Sequence, residues 1–281
     1  MYQPAQPKIV FSDIDGTLLN GSRQLSATTI QTIRKITAAY DVYFILVSAR
    51  MPMAMQAIYD ELCLKTPIIC YNGALIMESL AGGFDNQREI CSHSIDPRIP
   101  LSIFNHTLKH NLHFGLYSNN SWFVSKNDVW TEREENNTCV KAVIANNMPG
   151  IISQLASAGE PIHKLMVMGS PVEIDLLKNS ISLESRNKIT IYRSKETFLE
   201  ISPAQSSKAK ACSLLLDYLN LKPEQAVAFG DNFNDMEMLR IVGTGVAMGN
   251  ASEEVKRHAD KIAPPNTEDG VAFVLAEFFG I

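Results

Sequence analysis

Residues 8–13, KIVFSD, form an apolar run that stops on a carboxylate, Asp13, and a second carboxylate, Asp15, follows two positions later with Gly16 and Thr17 behind it. Acidic side chains are almost never fully buried unless paired. A strand that ends in two of them has to deliver both to a polar site. Open parallel α/β sheets provide such a site, because their ligands bind beyond the carboxyl ends of the strands.

The rest of the chain keeps that rhythm. Further strands are expected at 42–48 and 67–72, with helices at 26–40, behind a Ser cap, and at 51–64, which together make a βαβαβ start. After Gly73 the pattern changes. Residues 113–126 read as a hairpin turning at Asn119 and Asn120; 97–110 and 172–185 read as helices, and 162–169, 189–194 and 197–202 as strands. The α/β alternation resumes with a helix at 207–220, a strand at 225–231, a helix at 234–242, strands at 244–249 and 261–263, and a helix at 271–279. The expected fold is α/β: a doubly wound parallel-sheet core from 1–82 and 204–281, with an inserted α+β domain over 83–203.

At 281 residues the chain has room for two modest domains, since one typically takes about 100 to 200 residues. A net charge of -5 without a Lys/Arg block argues against nucleic acid as partner, which demands many cations against phosphates. The longest strongly apolar run, VYFILV, is too short to span a bilayer, so no membrane partner is expected. The segment MYQPAQPKIVF lacks the basic flank and long apolar stretch of a signal peptide. Five cysteines without CxxC spacing read as small core residues of a cytoplasmic protein rather than a disulfide or zinc framework.

Strand ends are therefore the positions that matter. They hold Asp13 and Asp15, then Ser48 with Arg50, then Asn72 with Gly73, then Asp231 with Asn234 and Asp235; Lys208 starts the helix after the insert. Carboxylates that converge repel one another unless a cation joins them, and Mg²⁺ is the usual hard cation held by one or two carboxylates with waters and a substrate phosphate. Asp13 and Asp231 are the expected ligands. Residues i and i+2 of an extended segment face the same way, so Asp15 looks into the cleft beside Asp13, and Gly16 and Thr17 support the turn beyond it. Asp13 is then the nucleophile toward phosphorus and Asp15 the acid and base that serves leaving group and water. Ser48 and the amides around Ala49 suit the phosphoryl oxygens, and Lys208 their charge. Asn234 suits the phosphate or a metal-bound water, and Asp235 suits an anchor for Lys208 or such a water.

Four segments in order, DIDGT (13–17), VSAR (47–50), SKA (207–209) and GDNFND (230–235), resemble the four motifs of the haloacid dehalogenase superfamily of phosphatases. The flanking NGA (72–74), FLEISP (198–203), GVAMGNA (245–251) and DGV (269–271) are similar to its Cof-type sugar-phosphatase branch, whose α+β cap lies between the Ser and Lys motifs. The resemblance implies Asp13 as nucleophile, Asp15 as acid/base, and Ser48 and Lys208 as phosphate binders, with Asn234 also at the phosphate. It implies Mg²⁺ held by Asp13, Asp231 and the Asp15 carbonyl, a small phosphorylated metabolite as substrate, and a cap that sets specificity. Ala49 and Ala209 depart from it, because the family usually has Gly at both. If those positions need positive φ, alanine strains them; if they only permit close approach, its methyl narrows the pocket.

Plainer readings stand beside these. Asn72 and Gly73 make either a turn or a substrate contact, and Arg50 is either a scaffold cation or a ligand contact. His106, His110 and His113 lack the Glu of an HExxH site and read as a solvated helix face. Met51, Met53 and Met55 read as adaptable packing, and Trp122 and Trp130 as core of the insert. Two other activities fit the same residues: phosphoryl transfer between sugar hydroxyls, as in a mutase, and a phosphoacceptor signalling module without turnover. An acid two residues after the nucleophile, and an insert between hydroxyl and Lys, favour the hydrolase over the module.

Overall fold

A computed structural model of the chain describes residues 6–81, 88–181 and 183–281. The expected junction at 82/83 lies outside the described residues. The chain divides into two compact units, one comprising Met1–Ala49, Met55–Ile90 and Ser207–Ile281, the other Arg50–Ala54 and Cys91–Ser206.

The first unit begins with β1 (Ile9–Ser12), α1 (Ala27–Ala39), β2 (Tyr43–Leu46) and α2 (Gln56–Glu61). β1 is buried at every position, which is why it reads as an unbroken apolar run: a central parallel strand is covered on both faces. α1 starts where Ser26 Oγ accepts the Thr29 amide and buries Thr29, Ile33 and Ile36. The helix expected at 51–64 is shorter, since Pro52–Met55 forms a 3₁₀ turn ahead of α2 and the chain leaves α2 through Cys63 at φ +56°.

The third expected strand departs from the plan. β3 (Ile68–Cys70) meets the chain beyond β2 through a single parallel bridge, Val47 to Ile69, and pairs antiparallel with β4 (Leu75–Met77), in a small sheet of order β3-β4-β5 with β5 (Glu89–Ser92). Three consecutive left-handed residues, Tyr71, Asn72 and Gly73, reverse the chain between β3 and β4. A periodic apolar pattern carries no information about such a turn.

The second unit is built on α3 (Arg98–Lys109), β6 (His113–Ser118), β7 (Ser121–Val124), α4 (Val129–Thr138), β8 (Val143–Ile144), α5 (Met148–Ala158), β9 (Lys164–Met168), α6 (Pro171–Ser180), α7 (Leu183–Arg186), β10 (Ile189–Lys195) and β11 (Phe198–Pro203). The helix expected at 172–185 is thus two, and residue 182 lies outside the described residues. The sheet order is β10-β11-β9-β6-β7-β8. Phe114, Leu116, Leu165, Val167, Leu199 and Ile201 alternate onto one face and pack into an apolar core with Ile99, Ile103, Ile152 and Ile174. The hairpin turns as expected, with Asn119 at φ +48°. Neither α4 nor α5 is legible as periodic; α4 is held by Asp128, whose carboxylate accepts the Trp130 and Thr131 amides, and α5 by Asn147.

Two sequence readings are corrected. His113 does not sit on a solvated helix face: α3 ends at Lys109, and His113 opens β6, buried, with Nδ1 2.9 Å from Asp128 Oδ1. Cys70 and Cys212 are buried, but Cys63 and Cys139 are exposed, both in left-handed positions after short helices.

The first unit closes with α8 (Lys208–Tyr218), β12 (Ala226–Gly230), α9 (Met236–Ile241), β13 (Thr244–Ala247), α10 (Glu253–Lys256), β14 (Lys261–Ile262) and α11 (Gly270–Phe279). The parallel sheet runs β14-β13-β12-β1-β2. β1 and β12 pair in register, Ser12 opposite Phe229, so the residues that follow, Asp13 and Asp231, emerge from the same edge. Among the described residues no helix is long and apolar enough to cross a membrane.

Candidate active site

Lys208 is the hub. Its Nζ lies 2.5 Å from Asp13 Oδ1 and 2.6 Å from Asp235 Oδ1, with side-chain exposures of 1% for the lysine, 9% for Asp13 and 0% for Asp235. The second oxygen of Asp235 accepts the Asp231 and Asn232 amides at 3.1 and 3.0 Å, so both its oxygens are in use. Gly230 leaves the room: a Cβ there would meet the Asp235 Cβ at 2.4 Å. Of the two sequence roles for Asp235, the structure displays the anchor of Lys208.

Asp231 is the third carboxylate of the group. Thr17 donates its hydroxyl to Asp231 Oδ1 at 2.8 Å. Gly16, at φ +86°, brings its backbone so near that a Cβ would lie 2.4 Å from Asp231 Oδ2. This glycine therefore meets both demands that only glycine meets, a left-handed turn and a close approach. Asp15 is exposed, just past Asp13.

A second set of strand-end groups is linked by hydrogen bonds. Ser48, buried, donates its amide to Ile69 O, and its carbonyl accepts the Asn72 amide at 2.9 Å. Asn72 Oδ1 in turn accepts from Asn234 Nδ2 at 3.1 Å. Gly73 packs against the carbonyl of Ser207, the residue that caps α8. Arg50 groups with the second unit, where its guanidinium donates to Ala54 O. Ala49 and Ala209 both lie outside the left-handed region, so the strain feared for alanine at either does not arise.

Sequence reasoning passed over Asn250. Its amide donates to Gly16 O at 2.8 Å and its carbonyl accepts the Asn266 amide, tying the loop after Asp15 to two distant segments. The signal for it in the sequence is the GNA at 249–251, within the segment that resembles the Cof-type branch.

The electrostatics follow from burial. Burial pushes the Asp13 carboxyl well above the ordinary carboxylate range; Lys208 opposes this, while Asp235 and Asp231 add to it. Asp231 is pushed up to about 6, chiefly by burial, against the Thr17 hydrogen bond. Burial works against the Lys208 charge, yet Asp13 and Asp235 together raise its pKa above the ordinary lysine value. One cation thus serves three neighbouring carboxylates, whose oxygens come within 4.8 Å of one another. An oxygen-only set short of positive charge fits a hard divalent cation. Since Asp235 is spent on Lys208 and two amides, Asp13 and Asp231 are the pair that fits it.

A sequence profile of the haloacid dehalogenase-like hydrolases matches residues 10–275. The chain belongs to this family. Among known haloacid dehalogenase-like proteins it is 32% identical over 278 residues to one of Haemophilus influenzae provisionally named a phosphatase, spanning 97% of this chain and 98% of that one. It is 25% identical over 280 residues to the 5-amino-6-(5-phospho-D-ribitylamino)uracil phosphatase YitU of Bacillus subtilis, spanning 98% and 99%. The crystal structure of a haloacid dehalogenase-like hydrolase from Bacteroides thetaiotaomicron superposes with a TM-score of 0.88 at 25% identity, covering 98% of this chain and 100% of that one. The haloacid dehalogenase-like chain described here is accordingly an enzyme, a phosphatase.

Proposed function

We propose that this phosphatase is Mg²⁺-dependent and works through a phosphoenzyme on Asp13. The observation that carries the reading is the buried Asp13–Lys208–Asp235 chain with Asp231 beside it, a single cation among three carboxylates. Asp13 and Asp231 hold the metal, which when bound supplies charge to the phosphoryl oxygens and fixes an in-line approach. Lys208 orients the Asp13 carboxylate and offsets charge on the phosphoryl group. An Asp13 oxygen forms the bond to phosphorus while the bond from phosphorus to the substrate oxygen breaks, and Asp15 gives that oxygen a proton. Asp15, now a carboxylate, takes a proton from the water that then cleaves the Asp13 phosphate. Ser48 binds a phosphoryl oxygen.

The substrate is a small phosphorylated metabolite, and the second unit sets which one; YitU, by its name, acts on one such compound. Five cysteines without CxxC spacing accord with a cytoplasmic setting. The test is phosphate release from p-nitrophenyl phosphate and from a panel of sugar phosphates, nucleotides, pyridoxal phosphate and flavin mononucleotide, with Mg²⁺ or with chelator. Release with Mg²⁺ that chelator abolishes is expected, and no release from any of them sinks the reading. Asp13→Asn is expected to abolish turnover, and Asp15→Asn to slow formation of the phosphoenzyme or to trap it.

A further inference from the structure

Tyr71, Asn72 and Gly73 are the only three consecutive left-handed residues among the described ones, at φ +52°, +53° and +93°. Glycine takes this conformation freely and asparagine tolerates it, but for a bulky side chain such as tyrosine it is an outlier. Backbone of this kind persists only where neighbours over-determine it. Here three segments do so. The Asn72 amide is held by Ser48 O, the Asn72 side chain by Asn234, and Gly73 lies so close to α8 that a Cβ would sit 2.5 Å from Ser207 O. One turn thus gathers the chain segments that carry Ser48, Asn234 and Lys208.

The side chain of Asn72 has a narrower task than the turn. Asn234 directly precedes the buried Asp235, and one end of its amide, Oδ1, is buried with no hydrogen-bond partner among the described residues. The other end is held by Asn72. Exchanging nitrogen and oxygen in both amides preserves a hydrogen bond between them, so the pairing, and not its direction, is what the geometry fixes. In either sense Asn72 leaves the opposite end of the Asn234 amide for a ligand. A buried amide with one end unsatisfied is costly, and it is tolerable where a ligand completes it.

We infer that Asn72 is a positioning residue for phosphoryl transfer, holding the Asn234 amide in its working rotamer without touching substrate. The inference rests on the phosphatase reading above. It replaces both sequence alternatives for Asn72, a plain turn and a substrate contact.

The decisive experiment is a double-mutant cycle on the full chain with p-nitrophenyl phosphate and Mg²⁺. Asn72→Gly keeps the left-handed turn and removes the amide; Asn234→Ala removes the group it positions. Asn72→Gly is expected to lower kcat about ten- to a hundredfold, the scale of a misplaced reacting group, with KM little changed. The double variant is expected to be no slower than Asn234→Ala alone, because neighbours acting as one unit are non-additive. Should Asn72→Gly fail to fold, Asn72→Ser enters the cycle and is read in the same way. Losses that multiply, a kcat equal to wild type, or a raised KM at unchanged kcat would each overturn the inference alone. A wild type that releases no phosphate overturns the phosphatase reading and this inference with it.

Discussion

Both units bury a base against aspartate, and the two clusters behave in opposite ways. In the first unit Lys208 meets Asp13 and Asp235; in the second His113 meets Asp128 at 2.9 Å, and the exposure of the two bases is alike, 1% and 0%. Yet Lys208 is held more firmly charged than a free lysine, while burial drives the His113 pKa down despite Asp128. The difference lies in the partners. Lys208 faces two carboxylates that are themselves buried, whereas Asp128 is 21% exposed and spends the same oxygen on two backbone amides of α4. Here the buried base keeps its charge where two buried carboxylates face it, and loses it where one partly exposed carboxylate divides a single oxygen between it and two amides. The first pair is a charged device, and the second is a neutral piece of scaffold.

The strongest way to break this contrast is to remove the charge from the hub. Lys208→Met leaves Asp13 and Asp235 buried without their shared cation, and taking one partner from a buried ion pair costs about 3–5 kcal/mol. The variant is expected to lose that stability in denaturant unfolding and to lose turnover with it. Unchanged stability would mean that the buried carboxylates do not depend on Lys208 as their cation. His113→Gln in the second unit is expected to lose far less, because no buried carboxylate is stranded.

A glycine comparison sharpens the same point on the backbone. Gly73 and Gly159 are both left-handed, at φ +93° and +70°, but a Cβ on Gly73 would meet Ser207 O at 2.5 Å and one on Gly159 would meet nothing within 4 Å. Gly159→Ala is expected to cost about 1 kcal/mol, the left-handed penalty alone. Gly73→Ala adds overpacking against the cap of α8, for about 2–4 kcal/mol in all, and is expected to lower turnover by displacing Lys208. Equal midpoints for the two variants in denaturant titration would refute the idea that the turn before α8 is a fitted part of the site.

What the sequence disclosed follows from what is local in it. Asp13 and Asp15 are legible because their spacing and the strand before them are covalent facts, and Lys208 and Asp231 because their segments come in a characteristic order. The parallel sheet is legible because its central strands, β1, β2 and β12, are nearly unbroken apolar runs. α4 is not, since VWTEREENNT is polar on nearly every side and is a helix chiefly because Asp128 caps it. α5 carries Pro149 and Gly150 in its first turn, which read as a break until Asn147 is seen to cap them. His113 reads as part of a helix face because three histidines lie at near-helical intervals; the chain turns into β6 between the second and the third. Nor does spacing disclose how Asp235 divides its oxygens between Lys208 and two amides, which is what sets it apart from Asp13 and Asp231.

The smallest expected effect is the pH response of the scaffold pair. His113 is lowered from the ordinary histidine value, first by burial, with Asp128 pulling the other way. A base whose folded pKa lies below its unfolded one gives a stability that is complete above the unfolded pKa of about 6.5 and drains as pH falls, since the unfolded chain then binds the proton more readily. Nδ1 faces an aspartate oxygen, so it carries the proton, and Nε2 is buried with no hydrogen-bond partner among the described residues. Protonation would place an unsatisfied N–H there, which is the cost behind the shift. Unfolding free energy measured between pH 7 and pH 5 is therefore expected to fall more steeply in the wild type than in His113→Gln. A fall less steep in the wild type than in His113→Gln would show that Asp128 holds His113 charged after all, and would make the two buried pairs alike; an identical slope would show that burial and Asp128 cancel.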